Sequence, residues 1–176
     1  MDDRLPPYEM PRPLIGLGHK DIGFIIGHPD HGAAMQRRQG YLDAMRDAGL
    51  TVRDDRVEQG WFSFRSGFEA AEKLLGGGDR PTAIFASNDD MALGVMAVAN
   101  RLRLDVPGQL SIAGFDDTPG AKITWPQLTT VRQPIHAMAG AAADMLMHGV
   151  DQEEGAPPPS QVLDFELVVR ESTGPA

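Results

Sequence analysis

An α/β fold built on a doubly wound parallel sheet is predicted by three features of this chain. Short apolar runs rich in Ile, Ala and Phe alternate with longer stretches of helical periodicity. The apolar runs are bounded by Gly, Asp and Asn, and polar turn-forming clusters follow them. Strands alternating with helices of about a dozen residues imply right-handed β-α-β crossovers, which cover a parallel sheet on both faces.

"DIGFIIG" at 21–27 is too short for a helix and suits a buried strand, Ile22 to Ile26. After the "HPDHG" turn, Tyr41, Ala44, Met45 and Ala48 recur at i, i+3, i+4 and i+7. They mark an amphipathic helix that Gly49 is placed to cap. A weaker strand is expected from about Thr51 to Glu58. Phe68, Ala71, Leu74 and Leu75 then mark a second helix, stopped by Gly76, Gly77 and Gly78. "TAIFAS" reads as a strand, and Asn88 suits the cap of a third helix through Met91, Val95, Val98 and Leu102, closed by Val106 and Pro107. "LSIAGF" supplies the fourth strand. Beyond it, "LTTVRQ" at 128–133 is strand-like, and Ile135, Met138, Ala142, Met145 and Leu146 form another helical stripe. "DQEEGAPPPSQ" is a polar, Pro-rich loop, and Val162 to Val169 is expected as a last strand. There is no internal repeat.

Composition narrows the function. A length of 176 residues with 41% hydrophobic content makes one respectable core. A formal charge of −9 excludes direct nucleic-acid binding by this surface, because phosphate neutralisation needs clustered Lys and Arg. The absence of Cys removes disulfides and thiolate catalysis. "MDDRLPPYEMPRPL" has two acids where a secretory signal needs a basic segment, and no run approaches the roughly 18 apolar residues of a membrane span, so a cytoplasmic location without membrane contact is expected.

Open α/β sheets bind ligands beyond the carboxyl ends of their strands. Three polar stretches fall there: "HPDHG", "SNDD" and "DDTPG". Asp89, Asp90, Asp116 and Asp117 read either as a carboxylate cluster for a metal or for acid/base work or, for two of them, as acids at a helix N-terminus. His28 and His31 have ligand-like spacing, but turn histidines are usually solvated and no third ligand lies nearby. No nucleophile elbow, phosphate loop or dinucleotide fingerprint is present, so neither an enzyme, a metal nor a cofactor is expected. Asp116, Asn88, Arg37 and Phe62 instead match a polyol site, in which carboxylate, amide and guanidinium serve hydroxyls and an aromatic face covers a ring. The plain alternatives stay open: Asn88 as a cap, Arg37 as a solvated helix charge, Phe62 as core.

Six ordered stretches carry a resemblance: "LIGLGHKDIGFI", "RRQGYLDAMRDAGL", "SGFEAAEKLL", "RPTAIFASNDDMALGVMAVANRLRLDVPGQLSIAGFDDTP", "PQLTTVRQP" and "LVVREST". Together they resemble the effector-binding core of the lactose-repressor (LacI/GalR) family of transcription regulators over about residues 14–173. The resemblance implies one lobe of a periplasmic-binding-protein-like type I fold, a sugar or similar effector held between two lobes, and a homodimer. It carries effector contacts onto Arg37, Phe62, Asn88, Asp116 and Gln133. By this alignment residues 1–13 form an irregular segment, because Pro11 and Pro13 interrupt the helix expected before "LGH". Residues 14–128 and 160–173 form the C-terminal lobe, and 150–159 form a Pro-rich loop. Residues 129–149 form a crossover that would pack on the first lobe and leave its apolar stripe without cover. The sequence opens close to the second lobe, so DNA contact is expected only through a headpiece outside these residues, and weak effector binding is expected from one wall. A periplasmic-type solute-binding module and an acid-cluster hydrolase are the alternatives.

Overall fold

The computed structural model describes residues 5–148 and 161–176. The chain opens with two short helices, α1 (Leu5–Glu9) and α2 (Pro11–Gly16), followed by β1 (Ile22–Ile26), α3 (Gly32–Asp47) and β2 (Val57–Gln59). Then come α4 (Phe64–Leu75), β3 (Ala83–Ala86), α5 (Asp89–Arg101), β4 (Ser111–Ala113) and the short α6 (Pro119–Ile123). The last third holds β5 (Thr130–Arg132), α7 (Ile135–His148) and β6 (Glu166–Val168). The first four strands form one parallel sheet in the order β2-β1-β3-β4, while β5 and β6 pair antiparallel as a small second sheet.

The main sheet is doubly wound. On one face, Ile25, Ile84 and Ile112 pack with Leu74, Leu75, Val95 and Val98 of α4 and α5. On the other, Phe24, Phe85 and Ala113 pack with Leu14 of α2 and with Tyr41 and Met45 of α3. Adjacent residues of one strand thus enter different cores, the period-2 alternation that makes all four residues of β3 buried. The Phe24 and Tyr41 rings stack at 4.6 Å, and the Tyr41 hydroxyl donates to the Ile22 carbonyl at 2.7 Å. That one residue therefore joins α3 to β1 by an apolar face and a polar tip.

Local chemistry explains the helix boundaries. Gly49, at φ 70°, takes the left-handed position just past α3. Ser63 and Ser66 form a reciprocal capping box at the start of α4. Asn88 caps α5 through its Oδ1, which accepts from the Met91 amide at 3.0 Å.

Three expectations are corrected. The irregular segment expected over residues 1–13 is helical from Leu5 onward and breaks only around Met10. Pro6, Pro7, Pro11 and Pro13 all fall in first turns, where no intrahelical amide bond is lost and a fixed φ suits the helix. Met10 and Leu14 are buried, so the pair of helices closes the core beside Tyr41. The strand expected from Thr51 to Glu58 shrinks to Val57–Gln59, because Asp54–Arg56 make a 3-10 turn that buries Arg56 between Asp21, Asp55 and Asp79. The strand expected over 162–169 is only Glu166–Val168. The Pro-rich loop assigned to 150–159 lies outside the described residues.

Helices α4 and α5 approach each other closely. A Cβ on Gly67 would lie 2.3 Å from the Met91 carbonyl oxygen, and one on Gly94 would lie 2.4 Å from that of Phe64. Both glycines are therefore set by backbone approach. Gly67→Ala is expected to lose about 1–3 kcal/mol of stability despite the better helix propensity of Ala. Gly140→Ala, on α7 with nothing within 4 Å of its Cβ, should lose none. Chemical denaturation of both variants checks the contrast.

Candidate functional site

Parallel pairing puts the carboxyl ends of β1 to β4 on one edge, and the residues that leave those ends build the site. His28 and His31 follow β1, Trp61 and Phe62 follow β2, Ser87 and Asn88 follow β3, and Phe115 and Asp116 follow β4. Gln133 leaves β5, which aligns beside this edge through parallel bridges from Ala113 to Thr129 and from Asp116 to Arg132.

The five residues singled out in the sequence fall into two contacting groups, Arg37, Phe62 and Asn88 in one and Asp116 with Gln133 in the other. Arg37 projects from α3 and is buried, with its guanidinium 3.8 Å from the centre of the Phe115 ring and 5.9 Å from that of Phe62. Its Nη1 donates to the Ser87 carbonyl at 2.7 Å. A desolvated guanidinium over an aromatic face is worth about 2 kcal/mol, so Arg37 is a fixed part of the wall and not a solvated helix charge. Asn88 donates from Nδ2 to the Phe62 carbonyl at 3.0 Å while capping α5. Phe62 sits at φ 58°, a left-handed conformation that costs a non-glycine residue energy. The Asn88 bond holds it there, and its ring lies where a Cβ on Gly27 would be, 1.9 Å from Cζ. Gln133 donates from Nε2 to Asp116 Oδ1 at 2.5 Å. Arg37 rests on Phe115, which precedes Asp116 in the chain.

Sequence reasoning missed the part that other aromatic side chains play at this edge. The His28 and His31 rings lie 5.1 Å apart; His28 meets the Trp61 ring edge-on at 5.0 Å, and His31 lies 5.8 Å from Phe62. Among the described residues no three His, Asp or Glu side chains group closely enough to hold a metal ion. Trp61 gives no periodic signal, and the role of Phe115 as a platform emerges only when β3 and β4 are aligned on α3. Neither could be read from spacing.

The four carboxylates have separate fates. Asp90 is exposed on α5. Asp89 is fully buried, accepting from the Thr118 amide at 2.7 Å and from the Thr130 hydroxyl at 2.6 Å. Burial pushes its carboxyl up to about 6, against the pull of those bonds. Asp117 is buried among Arg132, Arg170 and Lys122. Burial would raise its carboxyl, but hydrogen bonds from Arg132 and Arg170 outweigh that and hold it below the ordinary value. Asp116 is the acid that stands beside Gln133 at the edge.

Residues 12–173 match the periplasmic binding protein-like domain family. The chain belongs to that family. Among curated relatives it is 40% identical over 136 residues to the transcriptional repressor PurR of Proteus mirabilis, covering 77% of this chain and 40% of that protein. It is 38% identical over 172 residues to the regulator GalR of Escherichia coli, covering 98% and 50%. Catabolite control protein A of Priestia megaterium is 40% identical over 141 residues, covering 80% and 42%. The chain thus spans half or less of these proteins. Among solved structures, a sugar-binding LacI-family regulator from Escherichia coli, complexed with phosphate, superposes with TM-score 0.90 at 31% identity over 99% of this chain and 62% of that one. A LacI-family regulator from Mycobacterium smegmatis does so with TM-score 0.90 at 35% identity, covering 99% and 65%. These relatives put the chain with the effector-binding cores of LacI/GalR regulators.

Asp89 yields a pH prediction. Its folded value near 6 exceeds the ordinary 3.8, so the folded state holds a proton that the unfolded state has released between those values. Its favourable contribution is complete below the unfolded value and is lost as pH rises through the folded one. Carbon-13 NMR should show Asp89 titrating near 6. Asp89→Asn should gain stability relative to the parent as pH rises across that window.

Proposed function

We propose that this chain is the ligand-sensing part of a LacI-type transcription regulator that binds a sugar or similar polyol at the strand-end site, without catalysis. The observation that carries this reading is the placement of Phe62, Asn88, Asp116 and Gln133 along one strand-end edge, with Arg37 of α3 against Phe62. An aromatic face, a fixed cation, a carboxylate and amides are assembled on one edge, the set that vicinal hydroxyls and an apolar ring face require. Two of the carboxylates that a hydrolase would need are committed elsewhere, Asp89 to Thr118 and Thr130 and Asp117 to its arginines. The sugar-binding regulator from Escherichia coli shares the fold, which supports the same ligand class for this lobe.

A second lobe would close on this edge, packing against α7, which is exposed or half-buried wherever its side chains are described. No helix among the described residues is long and apolar enough to cross a membrane. DNA would be reached through a separate headpiece, and the regulator would act as a homodimer. A wide groove of about 870 Å³, lined by Leu93, Met96, Leu104 and Pro107, includes none of these five residues. Ile123 and Trp125 on its rim are 84% and 83% exposed, so its walls do not enclose a small ligand.

Calorimetry with a panel of mono- and disaccharides tests the reading. At least one should bind, and Asp116→Ala should weaken it by about tenfold or more, the cost of unmatched hydroxyls in a desolvated site. No binding across the panel, or equal binding by the variant, would overturn it.

A further inference from the structure

Asp116 and Asp117 sit at φ 118° and 53°, two successive non-glycine residues in the left-handed half of conformational space. Such a turn persists only when its surroundings over-determine it. The surroundings that do so converge on Asp117. Its Oδ1 accepts from Arg170 Nη2 at 2.5 Å, its Oδ2 accepts from Arg132 Nε at 2.6 Å, and Lys122 Nζ stands 3.4 Å away. The Asp117 side chain is 2% exposed, while Arg132 and Lys122 reach it from the surface at 43% and 53% exposure. The Asp117 amide reaches Thr130 Oγ1 at 3.4 Å, and the Asp116 amide donates to the Val131 carbonyl at 2.8 Å.

Arg132 and Arg170 are not arbitrary cations. They flank α7 in the chain, Arg132 at the end of β5 and Arg170 just past β6. Arg132 also bonds Glu166 at 2.6 Å, and Arg170 donates to the Leu128 carbonyl at 2.8 Å, so both are held from their far sides. Gln133, the residue after Arg132, is the one that donates to Asp116. We propose that Asp117 is a positioning residue for the effector site, a buried ionic pin that holds the strained Asp116–Asp117 turn against the base of the β5–α7–β6 excursion so that Asp116 and Gln133 stay paired. This rests on the reading of Asp116 and Gln133 as site residues, but its test needs no ligand. Asparagine at 117 would replace one acceptor oxygen by a donor facing a guanidinium, which breaks the pin while keeping the shape.

The experiment is solvent exchange of the Gln133 side-chain amide protons, read by NMR on the full chain and on Asp117→Asn. Exchange at Gln133 should accelerate about tenfold in the variant, while the backbone amides of Phe24, Ile25 and Phe85 keep their protection. An unchanged Gln133 rate with an intact core would overturn the proposal. So would equal loss of protection at Gln133 and in the core, because that marks a purely structural role. If Asp117→Asn does not fold, Arg170→Lys weakens the pin from its other side, because a single ammonium replaces the guanidinium that spans Asp117 and the Leu128 carbonyl. Acceleration there supports the pin, and an unchanged rate overturns it. Failure of every saccharide to bind would leave this result standing, so the two readings fail separately.

Discussion

Parallel pairing of β1 to β4 is the constraint from which the rest of the molecule follows. Parallel strands cannot be joined by tight hairpins, so each must be followed by a crossover, and the crossover helices bury both faces of the sheet. The same geometry sends every strand's carboxyl end to one edge. The segments after β1, β2, β3 and β4 are thereby gathered at one edge although they are far apart in sequence. Phe62 and Asn88, 26 positions apart, share a hydrogen bond because β2 and β3 both flank β1 in register.

Burial then sorts chemically identical residues into different roles. Asp89, Asp116 and Asp117 are the same side chain within one small region, yet each meets a different environment. Asp89 accepts from neutral donors and is driven toward its protonated form by burial. Asp117 faces Arg132, Arg170 and Lys122 and is driven the other way. Removing one partner of a buried ionic set leaves a charge without compensation, so such groups specify one arrangement more than they add stability. Asp116 pairs with Gln133, whose amide can exchange its bond for a ligand hydroxyl at little loss.

Much of this was legible from spacing alone. Tyr41, Ala44 and Met45 and the Gly49 stop define α3 because a helix buries one stripe and ends where a left-handed residue is cheap. The Asn88 cap was legible for the same reason, and the structure shows its side chain serving the cap and holding Phe62 together. Legibility ended where a residue's role depends on a neighbour distant in sequence. Pro11 and Pro13 looked like helix breakers because their effect depends on how many turns precede them, which composition does not display. Arg37 was singled out as a site residue, but its burial over Phe115 and its bond to the Ser87 carbonyl, which set it apart from a solvated helix charge, were not legible. The Asp54–Arg56 turn replaced part of an expected strand because Arg56 finds Asp21 and Asp79, which no local pattern places beside it. Trp61 and the His28–His31 pair come together only through the alignment of β1 with β2.

The central claim is that Arg37 of α3 and the strand-end residues Phe62, Asn88, Asp116 and Gln133 act as one recognition surface. A crystal structure of this chain with the saccharide that titrates most tightly tests it most directly. The account predicts ring hydroxyls within hydrogen-bonding distance of Asp116 and the sugar's apolar face against Phe62. A saccharide seated in the groove beside Trp125, or at the strand ends without contact to Asp116, would contradict it.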